Sequence, residues 1–121
     1  EITKYEGKFI KVTEQEIDGA IWERAYIQSG VQVFPITSEG KIILIEEKRP
    51  HEVNPSRLKF VTGLMDKEGE DPLKTANREL QEEIGKKANT LIELGEITLS
   101  PGYSSHKTHL FFTVPLSALG S

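Results

Sequence analysis

The sequence predicts an α+β domain built around a mixed sheet. Three observations carry that expectation: paired strand-like runs in the first half, one segment with the start and stop signals of a helix, and two more strand-like runs after it. Residues 8–13 and 20–27 read as the arms of a hairpin turning near Asp18-Gly19. Residues 30–37 (GVQVFPIT) and 41–47 (KIILIEE) read as a second pair around Ser38-Glu39-Gly40, and their near-continuous apolar character predicts burial on both faces. Pro and Asn mark residues 50–56 as a loop, after which 58–61 forms a short strand leading to Gly63. Asp71 is a good helix N-cap, Pro72 suits the first helical position, and Gly85 is a natural stop. Residues 91–99 and 109–114 then read as strands flanking a loop at 100–107.

At 121 residues the chain is one domain with enough length to bury a core unaided. Hydrophobic content of 36% and charged content of 28% describe a soluble globular protein. A net charge of −4 and the lack of a basic stripe argue against a nucleic-acid partner. An acidic chain that handles phosphates needs a local offset, from a divalent ion or from placed Arg and Lys. The absence of cysteine excludes disulfides, thiolate zinc sites and a Cys nucleophile, and suits a reducing cytoplasm. No apolar run approaches membrane-spanning length and no signal-peptide pattern opens the chain, so no membrane partner is expected. The missing initiator Met and the final Gly120-Ser121 are the marks of ends that are trimmed or carry added residues.

Residues 70–85 (EDPLKTANRELQEEIG) carry most of the functional signal. On a helix, Glu79, Glu82 and Glu83 share one edge, with Glu82 roughly 60° to one side of Glu79 and Glu83 roughly 40° to the other. Leu73, Ala76, Leu80 and Ile84 form a separate apolar stripe beside them. Three like charges so close repel one another, and a hard cation held by oxygen ligands removes that repulsion. Solvated acidic faces are common, however, and Lys86 and Lys87 are placed as ordinary surface partners for Glu82 and Glu83.

The wider spacing decides between these readings. Glu70, seven intervening residues, then Arg78-Glu79-Leu80-Gln81-Glu82-Glu83-Ile84-Gly85 resembles the Nudix box. A chance match at those positions has a probability on the order of 10⁻⁸ per starting point. Two departures stand out: six residues rather than five separate Gly63 from Glu70, and Lys86 follows Gly85 where the family usually has an apolar residue. The resemblance covers about residues 5–114, and YEGKFIKV at 5–12 together with Ser100-Pro101-Gly102-Tyr103-Ser104 is similar to the ADP-ribose pyrophosphatase and ADP-compounds hydrolase branch.

The resemblance implies an α/β/α sandwich with a mixed sheet, preceded by a short antiparallel N-terminal sheet. Residues 1–29 would be that strand region, used in a homodimer, and 30–121 the catalytic domain. It implies metal-dependent attack of water on a pyrophosphate linkage, most simply that of ADP-ribose, giving AMP and ribose 5-phosphate. Other nucleoside diphosphate sugars such as GDP-mannose and UDP-glucose, dinucleoside polyphosphates or NADH, and a non-catalytic nucleotide-sugar sensor are the alternatives. By motif position, Glu79 and Glu83 are implied as Mg²⁺ ligands, with Mn²⁺ as a substitute. Glu82 is a third ligand or the base, Thr62 contributes its carbonyl, and Glu70 stands in the outer part of the metal site. Arg78 holds a helix carboxylate in place. Arg49, Trp22, Pro101 and Tyr103 are the substrate-side candidates, each with a plain structural role as its alternative. The branch often draws its base from a Glu in a later loop, and 115–121 contain no acidic residue. Either that loop and the closing helix lie beyond this sequence, or the base is Glu82 or another residue.

Overall fold

The computed structural model describes residues 1–54, 56–65, 69–88 and 90–113, and the backbone of 116–118. Strands β1 (Ile2–Glu6), β2 (Ile10–Ile17) and β3 (Ala20–Ile27) form an antiparallel sheet in the order β1-β2-β3. The β2–β3 hairpin turns on Asp18 and Gly19, whose φ values of 51° and 81° are the type I′ geometry such a pair favours. The predicted strand at 8–13 therefore starts later and runs on to Ile17.

The second sheet joins β4 (Gly30–Phe34), β7 (Val61–Leu64), β9 (Leu91–Thr98) and β10 (Lys107–Thr113) in the order β7-β4-β10-β9. Its β4–β10 pair is parallel and its other pairs are antiparallel, so the sheet is mixed as expected. Two smaller pairs complete the strands: β5 (Ile45–Lys48) with β6 (Ser56–Lys59), and β8 (Lys86–Ala88) with β11 (Leu116–Ala118). Helix α1 (Pro72–Ile84) is the one α-helix of the described residues.

Two expectations are corrected. Residues 30–37 and 41–47 turn back on each other at the expected place, with the Thr37 N–H donating to the Lys41 carbonyl at 2.8 Å and the Ile43 N–H to the Pro35 carbonyl at 3.0 Å. Their pairing stops at one bridge, Ile36 to Ile42, and no strand pair extends from it. Both edges of β4 are already taken, by β7 and β10, and Pro35 has no N–H with which to extend a ladder. The chain turns there instead, and β5 begins at Ile45 and pairs with β6. Burial on both faces holds for β4 but not for 41–47, where Ile42 and Leu44 are 53% and 47% exposed. The predicted strand at 58–61 is also divided, between the end of β6 and the start of β7, on either side of Phe60.

The core follows from the two periodicities. Val31 and Val33 of β4 project toward α1 at alternate positions, and Val61, Ala76, Leu80, Ala88 and Phe111 close around them. Ile84 packs at the margin, while Leu73 in the first helical turn lies outside the buried stripe and is exposed. The helix ends where its sequence says. The Asp71 carboxylate accepts from the Leu73 N–H at 3.0 Å, Pro72 opens the first turn, and Gly85 adopts φ 63° while its N–H donates to the Gln81 carbonyl at 3.1 Å.

Helix ends set so clearly are testable by stability. Asp71→Ala and Gly85→Ala should each cost about 1 kcal/mol in urea unfolding. Phe111→Ala, which empties the core beneath α1, should cost about 3–5 kcal/mol.

Candidate functional site

The site is built on a close approach between helix and sheet. In the β4–β7 ladder, Val31 stands opposite Gly63 and Gly30 opposite Leu64. A Cβ on Gly63 would overlap the Glu79 carboxylate, and one on Gly30 would stand 2.5 Å from the Gly63 carbonyl oxygen. Two glycines in succession thus let the acid of α1 lie directly on the backbone of β7, one residue from Thr62. Burial raises the Glu79 carboxyl above its ordinary value, the charges of Glu82 and Glu83 raise it further, and the neighbouring Arg78 opposes both.

Arg78 is the hub beside it. Its Nη1 donates to Glu70 Oε1 at 2.8 Å and its Nη2 to the Leu64 carbonyl at 3.2 Å. The same guanidinium lies 3.6 Å from Glu79 Oε1 and 3.8 Å from Glu82 Oε1. Glu70 Oε1 also accepts from the buried hydroxyl of Thr75 at 2.6 Å, so Glu70 and Thr75 together fix the arginine. Thr75 was not singled out by its sequence; its signal is a small polar residue on the helix face between Glu70 and Arg78. Glu82 is the most solvent-exposed of the helix carboxylates.

A cleft of about 690 Å³ opens above Thr62 and Gly63. Glu47, Arg49, Arg57 and Lys59 of the β5–β6 hairpin line one side, and Ser100, Tyr103 and His106 line another. Arg49 donates to Glu47, and Arg57 Nη2 to Glu52 Oε1 at 2.8 Å. Lys59 Nζ reaches Glu47 Oε2 at 2.7 Å and Glu83 Oε1 at 3.4 Å. Of the expected residues, Arg49, Thr62 and Tyr103 line this cleft. Pro101 lies in the exposed turn beside it and is not among the described lining residues. Trp22 borders a separate hollow of about 200 Å³, shared with Gly102 and Tyr103. The loop carrying Tyr103 is fixed to the N-terminal sheet: Ala25 N–H donates to the Tyr103 carbonyl at 2.7 Å, and Ser105 N–H to the Ala25 carbonyl at 3.0 Å.

Glu47, Arg57 and Lys59 were missed because 41–47 read as a buried strand. In the hairpin actually formed, Glu47 stands opposite Arg57 and Ile45 opposite Lys59, so Arg57 and Lys59 line the cleft wall at period two.

The residues fit a divalent ion through the chemistry of their donors. Glu79, Glu82 and Glu83 and the Thr62–Gly63 backbone offer hard oxygens on one edge, with a surplus of negative charge at the buried member. Among the described residues, though, no three acids or imidazoles converge into a ready cage. Arg78 lies toward Glu82 and Lys59 toward Glu83, and an ion has to compete with both.

The Glu47 carboxyl is held down to about 2 from an ordinary 4.5, first by Arg49 and then by Lys59. A depressed folded-state value means that this carboxylate stabilises the fold fully above about pH 4.5 and loses that contribution as pH falls toward 2. The urea midpoint of the parent chain should therefore exceed that of Glu47→Gln by a constant amount near neutrality. The gap should close between pH 4.5 and 2.

Residues 27–119 match the NUDIX domain. The chain is similar to an ADP-ribose pyrophosphatase of Bacillus subtilis (strain 168), with 31% identity over 120 residues that cover 95% of this chain and 64% of that protein. It is also similar to a methanol dehydrogenase activator of Bacillus methanolicus, with 30% identity over 118 residues, 93% of this chain and 63% of that one. Among solved structures, one described as an ADP compounds hydrolase superposes with a TM-score of 0.77 at 28% identity, covering 96% of this chain and 65% of its own. The chain thus spans just under two thirds of the length of these relatives. With a capped helix bearing Arg78, Glu79, Glu82 and Glu83 beside a mixed sheet, and a domain match over 27–119, the chain belongs to the NUDIX domain family.

Proposed function

We propose that this chain is the NUDIX portion of a hydrolase that cleaves the pyrophosphate linkage of a nucleoside diphosphate joined to a sugar, with ADP-ribose as the first candidate and AMP and ribose 5-phosphate as products. The observation that carries the reading is the Glu79 carboxylate pressed onto Gly63, which itself lines a cleft that also bears Arg49, Arg57 and Lys59. The printed activities of the Bacillus subtilis relative and of the matching solved structure support the substrate class.

In this reading the cationic wall binds the diphosphate, and Arg49, already oriented by Glu47, presents its guanidinium to a phosphate oxygen pair. Tyr103 and His106 also line the cleft, and a base or sugar would lie against them. Glu79 and Glu83, with the Thr62 carbonyl, would hold the ion, Mg²⁺ in the first instance and Mn²⁺ as its substitute. When bound, the ion supplies charge neutralisation for the phosphoryl oxygens and the attacking water. Glu82, exposed and held only loosely by Arg78, is free to accept a proton from water. Arg78, clamped by Glu70 and Thr75, keeps the helix carboxylates apart and oriented. Most of the rate comes from positioning and charge, so single losses are large.

The exposed apolar residues of the N-terminal sheet, including Ile2, Tyr5, Ile21 and Trp22, suit a homodimer contact. The cysteine-free composition suits the cytoplasm, and no helix among the described residues is long and apolar enough to cross a membrane.

The test is monophosphate release from ADP-ribose, GDP-mannose, UDP-glucose, NADH and diadenosine polyphosphates in the presence of Mg²⁺. ADP-ribose should turn over best, and a chelator should abolish the reaction. Glu79→Gln and Glu83→Gln should each lower kcat/KM by about 10²-fold or more with the fold retained. Arg78→Lys, which loses the planar fork, should lower kcat by about tenfold or more. A flat panel from folded protein that still binds these nucleotides would move the assignment from hydrolase to sensor.

A further inference from the structure

Lys59 has no place in the family resemblance, yet it stands where the charges of the site meet. Its Nζ lies 2.7 Å from Glu47 Oε2 and 3.4 Å from Glu83 Oε1, and it lines the cleft. The three side chains come from β6, β5 and α1, and each is about one-fifth exposed or less. This ammonium lies against Glu83 as well as Glu47, and it ties the arginine-bearing hairpin to the helix.

We propose that Lys59 is a displaceable counter-ion: it neutralises Glu83 until a divalent ion takes that carboxylate, and then remains with Glu47 on the cleft wall as a positive charge for the substrate diphosphate. The inference rests on the metal site of the proposed function and adds a positioning residue to it. Two cations cannot share one carboxylate oxygen without strong repulsion at this range. The lysine stem is flexible and its three donors rotate freely, so the ammonium can leave Glu83 while keeping Glu47. Because the same ammonium serves Glu83 in one state and the cleft in the other, ion and anionic ligand each tighten the binding of the other.

The test is Mn²⁺ binding without substrate, read from loss of the free-ion paramagnetic resonance signal, with folding checked by thermal melting. Lys59→Met should bind Mn²⁺ roughly fivefold or more tightly than the parent. In a Glu83→Gln background the same substitution should have no effect, since the carboxylate it guards is gone. With Mg²⁺ saturating, Lys59→Met should raise KM for the diphosphate substrate more than it lowers kcat. Lys59→Gln serves if the methionine variant fails to fold. Unchanged or weaker binding in Lys59→Met, or tightening that persists with Glu83→Gln, would overturn this inference and leave the metal site standing. No Mn²⁺ binding by the parent would overturn the metal site and this inference with it.

Discussion

The contact on which the site depends is that of the Glu79 carboxylate with the bare backbone of Gly63. It requires α1 to lie low across β7, which Ala76 and Leu80 permit by packing against Val31, Val33 and Val61. It also requires room behind the strand, which Gly30 supplies by leaving the Gly63 carbonyl unobstructed. The N-cap at Asp71 and the stop at Gly85 bound the helix, and on its acidic edge Glu79 and Glu83 are largely shielded while Glu82 faces solvent. Disturbing any one of these shifts the acid from its seat on the Gly63 backbone.

Charge is the second constraint. An overall −4 chain brings acids and cations into alternation along one path: Arg49 with Glu47, Glu47 with Lys59, Lys59 with Glu83, and on the other side Arg78 with Glu70, Glu79 and Glu82. Most of these groups are only partly shielded from water, so each pair contributes little to stability by itself. Their value lies in geometry. Each carboxylate that would hold an ion is kept in place by a cation that is not its final partner.

How far the sequence was legible depends on the kind of signal each element carried. Local chemistry announced α1, because a cap, a proline and a left-handed glycine act within a few residues of themselves. The Asp18-Gly19 turn was legible for the same reason. The motif placed Arg78, Glu79, Glu82 and Glu83 on the helix and Glu70 just ahead of it, but Thr75, which completes the arginine clamp, carries no pattern of its own. The run 41–47 misled because apolar content speaks to burial and not to partners. Which strand lies beside β4 is decided by β7 and β10, distant in sequence. With the β5–β6 pairing hidden, the cationic cleft wall at Arg57 and Lys59 was hidden too. Trp22 and Tyr103 show the converse: both stood as substrate-side candidates in the sequence, but only the fold reveals that Tyr103 borders the cleft and Trp22 a neighbouring hollow.

The central claim is that the helix edge, Glu79 above all, holds a divalent ion against the backbone at Thr62–Gly63. Anomalous diffraction from crystals soaked in Mn²⁺ tests it most directly. The account predicts a peak at roughly 2.0–2.3 Å from carboxylate oxygens of Glu79 and Glu83, with Lys59 Nζ turned away from Glu83. A peak elsewhere on the molecule, or no peak with Lys59 still seated between Glu47 and Glu83, would contradict it.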